Sequence, residues 1–216
     1  MSDAKGGSMA LDAWYRKDAE KEMTDVKFCR AFIHSPSSFH SRTKKIVTPE
    51  DIKGMKIRPA HATMANFVTQ LGGTNVQSSA PEVRDIIERG VADAVTFPWG
   101  SVVLFGIDKV TKYHMDAPLY VTTFAFVMNK DKYNQMFDKQ KKAIVIYCST
   151  EAAGRVGEPW GKFEDAGIAK IKAEANHEVY PLTPEQIASW KKASEPLVKT
   201  WGDGVKKNGG DPDTAL

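Results

Sequence analysis

Arg58 ends the short apolar run Met55-Lys56-Ile57-Arg58, is followed by Pro59, and has more chemistry to offer than any other side chain in the sequence. A guanidinium is a planar fork that donates two parallel hydrogen bonds, a geometry matched to a carboxylate. A helical period begins at His61, and the free N–H groups of a helix start favour an anion in the same place. A surface arginine paired with an Asp or Glu is the competing reading, and the pattern does not separate the two. Ser78, Ser79, Phe97 and Trp99 fall at the ends of the next two strand-like runs. Asp93 and Asp116 stand where catalytic carboxylates could stand, but nothing pairs them, and Asp93 reads better as a brace for its strand. The sequence has no G-x-S-x-G elbow, no P-loop and no G-x-G-x-x-G after a strand. A carboxylate-binding arginine without nucleophile, base or metal points to binding rather than catalysis.

The elements that must position these groups lie between Thr48 and Trp99. Thr48 and Asp51 form an S/T-x-x-D capping signature with Pro49 at the first helical position. Gly54 stops that turn, and Met55–Arg58 reads as a strand. Met64, Phe67, Val68 and Leu71 then follow the i, i+3, i+4, i+7 spacing of one apolar helix face, ended by Gly72-Gly73. Asn75-Val76-Gln77 is a second strand. Ser79 with Glu82 caps a second helix carrying Val83, Ile86 and Ile87, and Ala94-Val95-Thr96 is a third strand. The order βαβαβ, with right-handed crossovers, puts the carboxyl ends of all three strands on one edge, where open α/β sheets bind ligands.

The segments PEDIKGMKIRP, LGGTNVQ and RGVADAVTFPWGSV, in this order and spacing, resemble the solute-binding proteins of tripartite ATP-independent periplasmic (TRAP) transporters. The likeness continues through KVTKYHMDAPLYVTTFAFVMNKDKY and spans most of Leu11 to Pro212. It implies a periplasmic-binding-protein-like α/β fold with a βαβαβ lobe, a long hinge strand and C-terminal helices. It implies that Arg58 clamps a substrate carboxylate and that two lobes close around the ligand. Phe39 and His40 match a second substrate contact, and Tyr120, near the start of the long strand, can face the ligand or pack on the sheet. Many members carry a polar side chain where this chain has Phe97, so the substrate expected here is one that accepts an aromatic wall. The implied partners are a small organic acid and TRAP membrane permease subunits, in the periplasm. Two readings stand beside this one: a sensor or enzyme-associated domain reusing the same lobe, and a truncated chain that binds nothing.

Composition narrows the class. With 42% hydrophobic and 26% charged residues in 216, the chain is an ordinary globular sequence long enough for one large or two small domains. Its 30 basic and 27 acidic residues are interspersed, which gives no footprint for nucleic acid. No apolar run reaches membrane-spanning length. Five histidines (His34, His40, His61, His114, His177) lack any tight ligand spacing, so neither metal nor cofactor is expected. Cys29 and Cys148 could bridge in an oxidising compartment, but two separate buried thiols are the preferred reading.

Along the chain, Met1–Ser8 reads as a flexible segment without the apolar core of a signal peptide. Residues 9–47 read as the remnant of a first lobe, with a helix over Ala10–Met23, a strand over Val26–Ile33 and a loop over Ser35–Thr43. This incomplete first lobe offers a surface for self-association. Residues 48–128 form the substrate-binding lobe, with strands at Val110–Tyr113 and, as the hinge, Leu119–Met128. Residues 129–216 form a helical region, broken or bent by Gly154, Gly157, Pro159, Gly161 and Gly167, with Trp160 and Phe163 packed on a sheet. A strand over Glu178–Tyr180 and a helix capped by Thr183 follow, with Ile187, Trp190, Leu197 and Trp201 on its buried face and a kink at Pro196.

Overall fold

The computed structural model describes residues 3–215. In chain order its helices are α1 (Ala4–Tyr15), α2 (Ala19–Glu22), α3 (Ala62–Gln70), α4 (Val83–Glu88), α5 (Trp99–Leu104), α6 (Lys130–Asn134), α7 (Asp138–Val145), α8 (Thr150–Ala173), α9 (Pro184–Lys207) and α10 (Pro212–Ala215). The strands are β1 (Val26–Ile33), β2 (Ser38–Ser41), β3 (Lys56–Arg58), β4 (Thr74–Asn75), β5 (Ala94–Phe97), β6 (Tyr113–Asp116), β7 (Thr123–Asn129) and β8 (Glu178–Pro181). The chain folds as two units. The first holds residues up to Ser37, Pro98–Val103 and Pro118–Lys170; the second holds Ser38–Phe97, Leu104–Ala117 and the chain from Ile171 onward.

The second unit contains the expected βαβαβ motif. Its six-stranded sheet has the order β4-β3-β5-β2-β6-β8. β3 runs parallel to both β4 and β5, and β2 is antiparallel to β5 and β6. Both capping boxes form, Thr48 with Asp51 and Ser79 with Glu82, on 3-10 turns at Pro49–Ile52 and Ala80–Glu82. Gly54, Gly72 and Gly90 take positive φ at the stops between elements, a region a Cβ would strain. Met64, Phe67 and Val68 of α3 are buried, each contributing roughly 1.5–3 kcal/mol of apolar burial. Asp93 braces the motif as expected: its Oδ2 accepts the Lys56 N–H at 2.8 Å.

β2 corrects the sequence reading. Ser35–Thr43 is rich in turn formers, yet Ser38–Ser41 is an interior strand with all four residues buried. Neighbours on both sides supply its hydrogen bonds, so pairing overrides weak local propensity. The strand expected at Val110–Tyr113 lies instead at Tyr113–Asp116, because Ile107–Lys109 forms a 3-10 turn and Thr111 bonds back to Ile107 O. In α9, Trp190 is a core anchor, but Trp201 is 38% exposed and not the buried contact expected. The helix runs unbroken through Pro196 to Lys207.

In the first unit β1 and β7 form a two-stranded antiparallel sheet. The expected hinge strand is shorter than its apolar run, and Tyr120 joins only an isolated bridge with Ser37. Met1 and Ser2 lie outside the described residues, but the flexible segment expected up to Ser8 is helical from Ala4. Asp3 caps α1 by accepting the Gly6 N–H, and the Ser8 hydroxyl and Ile33 N–H are 3.0 Å apart. Asp12 accepts from Ala31 N and Arg16, so side chains of α1 satisfy the outer edge of β1. The helix expected over Ala10–Met23 breaks after Tyr15, and α2 resumes at Ala19.

α8 is unbroken over 24 residues, whereas its glycines and Pro159 suggested breaks. The breaks fall earlier, between α6, α7 and α8. The glycines serve close packing: a Cβ on Gly157 would lie 2.4 Å from Ala4 O, and one on Gly167 2.6 Å from the Gly100 backbone. Trp160 packs on Phe32 and Phe124 of the β1–β7 sheet, as expected. Phe163 instead lies against the backbone of Gly100, 40% exposed. Cys29 and Cys148 form a disulfide, which corrects the preference for separate thiols; 119 residues of sequence hid their proximity.

Candidate carboxylate-binding site

Parallel pairing of β3 with β5 brings Arg58 level with Val95, two residues before Phe97 at the carboxyl end of β5. Residues paired across strands share a sheet face, and alternate residues of one strand return to it. Arg58, Val95, Phe97, Ser38, His40 and His114 therefore share one face. Phe39 and Thr96 belong to the other.

The Arg58 guanidinium lies 5.2 Å above the Phe97 ring. Its Nε and Nη2 donate to Ser78 O at 3.3 and 3.0 Å, so a carbonyl after β4 fixes the plane of the fork. Phe97 is held from the side by Phe105, edge to face at 5.8 Å. The Thr96 hydroxyl accepts the Ala60 N–H at 2.7 Å, tying the loop after Arg58 to β5. His61 caps α3 through Nδ1. The hydroxyls of Ser38 and Ser78 are buried without a hydrogen-bond partner among the described residues. Sequence reasoning noted Ser78 at a strand end but missed Ser38, which it placed in a loop.

Phe39 is 1% exposed and packs on Trp190 at 5.7 Å, in the core on the opposite face from Arg58. His40 is fully buried rather than on an exposed loop; its Nε2 donates to Phe97 O at 3.0 Å and its Nδ1 meets His114 Nδ1 at 2.9 Å. Burial lowers its pKa to about 4, so it is neutral near pH 7. Trp99 and Tyr120 lie in the first unit. Trp99 is buried at the start of α5, where Glu164 accepts from Gly100 N at 2.6 Å and from Trp160 Nε1 at 2.7 Å. Burial pushes the Glu164 carboxyl up to about 7 against those two donors. Tyr120 sets its ring edge-on to His34 at 5.7 Å. No cluster of acids, histidines or cysteines among the described residues is arranged to hold a metal ion.

Arg58 and the ring of Phe97 thus stand together at the carboxyl ends of neighbouring parallel strands. Residues 15–203 match the family described as bacterial extracellular solute-binding protein, family 7 (DctP). The chain belongs to this family. Members of the DctP family are binding proteins rather than enzymes, and no helix among the described residues is long and apolar enough to cross a membrane. A curated solute-binding protein of Albidiferax ferrireducens is 25% identical over 183 residues, 83% of this chain and 53% of its own length. The chain thus spans about half the length of that curated relative. A TRAP solute-binding protein from a marine metagenome, specific for aromatic acid ligands and solved with metahydroxyphenylacetate, is 28% identical. It aligns over all of this chain and 69% of its own, with a TM-score of 0.89. A TRAP solute-binding protein of Rhodoferax ferrireducens, solved with benzoate, is 24% identical over the whole chain and 68% of its own, with a TM-score of 0.91, and shares the fold.

Proposed function

We propose that this DctP-family chain captures an aromatic carboxylate outside the cytoplasm for delivery to a TRAP-type membrane permease, with Arg58 clamping the carboxylate beside the ring of Phe97. The observation that carries this reading is the guanidinium held over the Phe97 ring at 5.2 Å, a cation and an apolar ring presented together. An aromatic acid has the same two parts, an anion and a π-face. The marine relative specific for aromatic acids supports the same class. The Cys29–Cys148 bridge supports an oxidising compartment such as the periplasm.

Isothermal titration calorimetry against 3-hydroxybenzoate, metahydroxyphenylacetate, malonate and glucuronate tests the reading. The aromatic acids should bind and the others bind far more weakly. Arg58→Lys keeps the charge but loses the fork, and should weaken binding at least about tenfold, because one charge-assisted hydrogen bond is worth about 1.5–3 kcal/mol. Tight binding of malonate with none of benzoate-type acids refutes the aromatic wall. Unchanged affinity in both Arg58→Lys and Arg58→Ala refutes the clamp.

Self-association is a second reading, favoured by the exposed apolar side chains of the first unit. Phe126 and Val127 of β7, with Phe137, Val145, Ile146 and Tyr147, are all exposed. A two-stranded sheet is marginal by itself and gains from further pairing. Light scattering that gives one chain per particle at high concentration refutes this second reading.

A further inference from the structure

Ser38 and Ser41 both sit on the interior strand β2, with their hydroxyls buried and without a hydrogen-bond partner among the described residues. Such a group destabilises the fold, because water no longer satisfies its proton and lone pairs. Alternation along the strand separates the two serines. Ser41 shares the face of Phe39, which packs on Trp190 in the core. Ser38 pairs with Phe97 and so shares the face of Arg58. β2 is antiparallel to β5 and begins where β5 ends, which sets Ser38 at the same carboxyl edge. The strand order β3-β5-β2 puts Arg58 and Ser38 on either side of Phe97, two strand spacings or roughly 9.5 Å apart at the backbone. The guanidinium reaches across part of that gap, to 5.2 Å from the centre of the Phe97 ring. A buried, unpartnered hydroxyl therefore lies across the Phe97 side chain from a fork suited to a carboxylate.

We propose that Ser38 is a specificity-determining residue whose hydroxyl pairs with a hydroxyl on the ligand's ring, so that the site takes a hydroxyl-substituted aromatic acid in preference to the bare acid. The proposal rests on Arg58 and Phe97 forming the ligand site. With the carboxylate on Arg58, a meta or para hydroxyl points away from the anion and towards β2. An ortho hydroxyl stays beside the carboxylate and bonds to it within the ligand. Serine suits either direction of hydrogen bond, since its hydroxyl turns to donate or to accept. The bare acid leaves Ser38 as unpaired as before, and only the hydroxylated acid gains the bond. A buried polar group placed for a ligand hydroxyl discriminates in this way against the analogue that lacks it.

Isothermal titration calorimetry with benzoate, 2-hydroxybenzoate, 3-hydroxybenzoate and 4-hydroxybenzoate on the parent, Ser38→Ala and Ser41→Ala tests it. In the parent, 3-hydroxybenzoate or 4-hydroxybenzoate should bind at least about fivefold tighter than benzoate, the scale of one net hydrogen bond, and 2-hydroxybenzoate should not. Ser38→Ala should bring that ratio to one or below, while its benzoate affinity changes by less than about twofold. Ser41→Ala, which loses the same group from the opposite face, should keep the parent's ratio. The melting temperature of ligand-free Ser38→Ala should match or exceed the parent's, because the hydroxyl it loses is unpaired. A ratio of one in the parent, an unchanged ratio in Ser38→Ala, or a ratio lost equally in Ser41→Ala overturns the proposal. So does a clearly lowered melting temperature in Ser38→Ala, which would give the hydroxyl a partner within the protein. Arg58→Ala separates this proposal from the reading beneath it: benzoate that binds the parent and not this variant upholds the clamp even where the Ser38 ratio fails. Failure of all four acids to bind the parent overturns both.

Discussion

Replacing both Cys29 and Cys148 with serine should cost this protein several kcal/mol and release a particular segment first. The bridge joins β1 to the turn after α7 across 119 residues. For a loop of that size, the chain-entropy relation gives about 4.8 kcal/mol, near the top of the range measured for native bridges. Arg30 Nη1 donates to Tyr147 O at 2.6 Å, while Val145, Ile146 and Tyr147 are exposed and contribute little burial. The double serine variant should therefore lose roughly 1–2 M in its urea midpoint. Trypsin at low ratio should cut it after Lys139, Lys141 or Lys142 before any other site. Non-reducing mass spectrometry confirms the bridge in the parent protein. An unchanged urea midpoint with an unchanged digestion pattern would refute both the entropic estimate and the tethering role.

Further tests concern packing and protons. Gly157→Ala should destabilise the first unit by at least ~1–3 kcal/mol, since the new Cβ meets the Ala4 carbonyl 2.4 Å away and backbone must move; thermal unfolding checks it. His40 has a folded pKa lowered from 6.5 to about 4, so its stabilising contribution is complete above pH 6.5 and is lost as pH falls towards 4, up to ~3 kcal/mol. Glu164 works the other way: raised from 4.5 to about 7, its contribution is complete below pH 4.5 and is lost as pH rises through 7, also ~3 kcal/mol at most. Between pH 4.5 and 6.5 the His40 slope is joined by that of His114, whose pKa is lowered from 6.5 to about 2, so the two outweigh the opposing Glu164 slope and urea stability should rise with pH. Glu164→Gln removes the opposing slope, and its stability should rise more steeply with pH over that window; a profile no steeper than the parent's refutes the assignment.

The sequence by itself determined whatever depends on near neighbours. Capping boxes, glycine stops and the 3.6-residue apolar period located the βαβαβ motif, because each is set within one turn of chain. The place of Arg58 at a strand end followed from that motif, and so did the sheet edge it shares with Phe97 once the strands were taken as parallel. Segment order also carried the DctP-family likeness, which the profile match over residues 15–203 bears out.

The tertiary structure decided whatever depends on partners distant in sequence. Ser38–Ser41 is a strand because β5 and β6 flank it, which no local propensity of Ser-Phe-His-Ser reports. That pairing sends Phe39 into the core and turns His40 towards Phe97, so two adjacent residues grouped as one contact part to opposite faces. The glycines of α8 read as breaks because an isolated helix is weakened by glycine; in the fold they admit the Ala4 and Gly100 backbones. The disulfide and the contacts of His114 with His40 and His177 join residues 119, 74 and 63 positions apart. Spacing rules see neighbours along the chain, and these groups become neighbours only when the units fold.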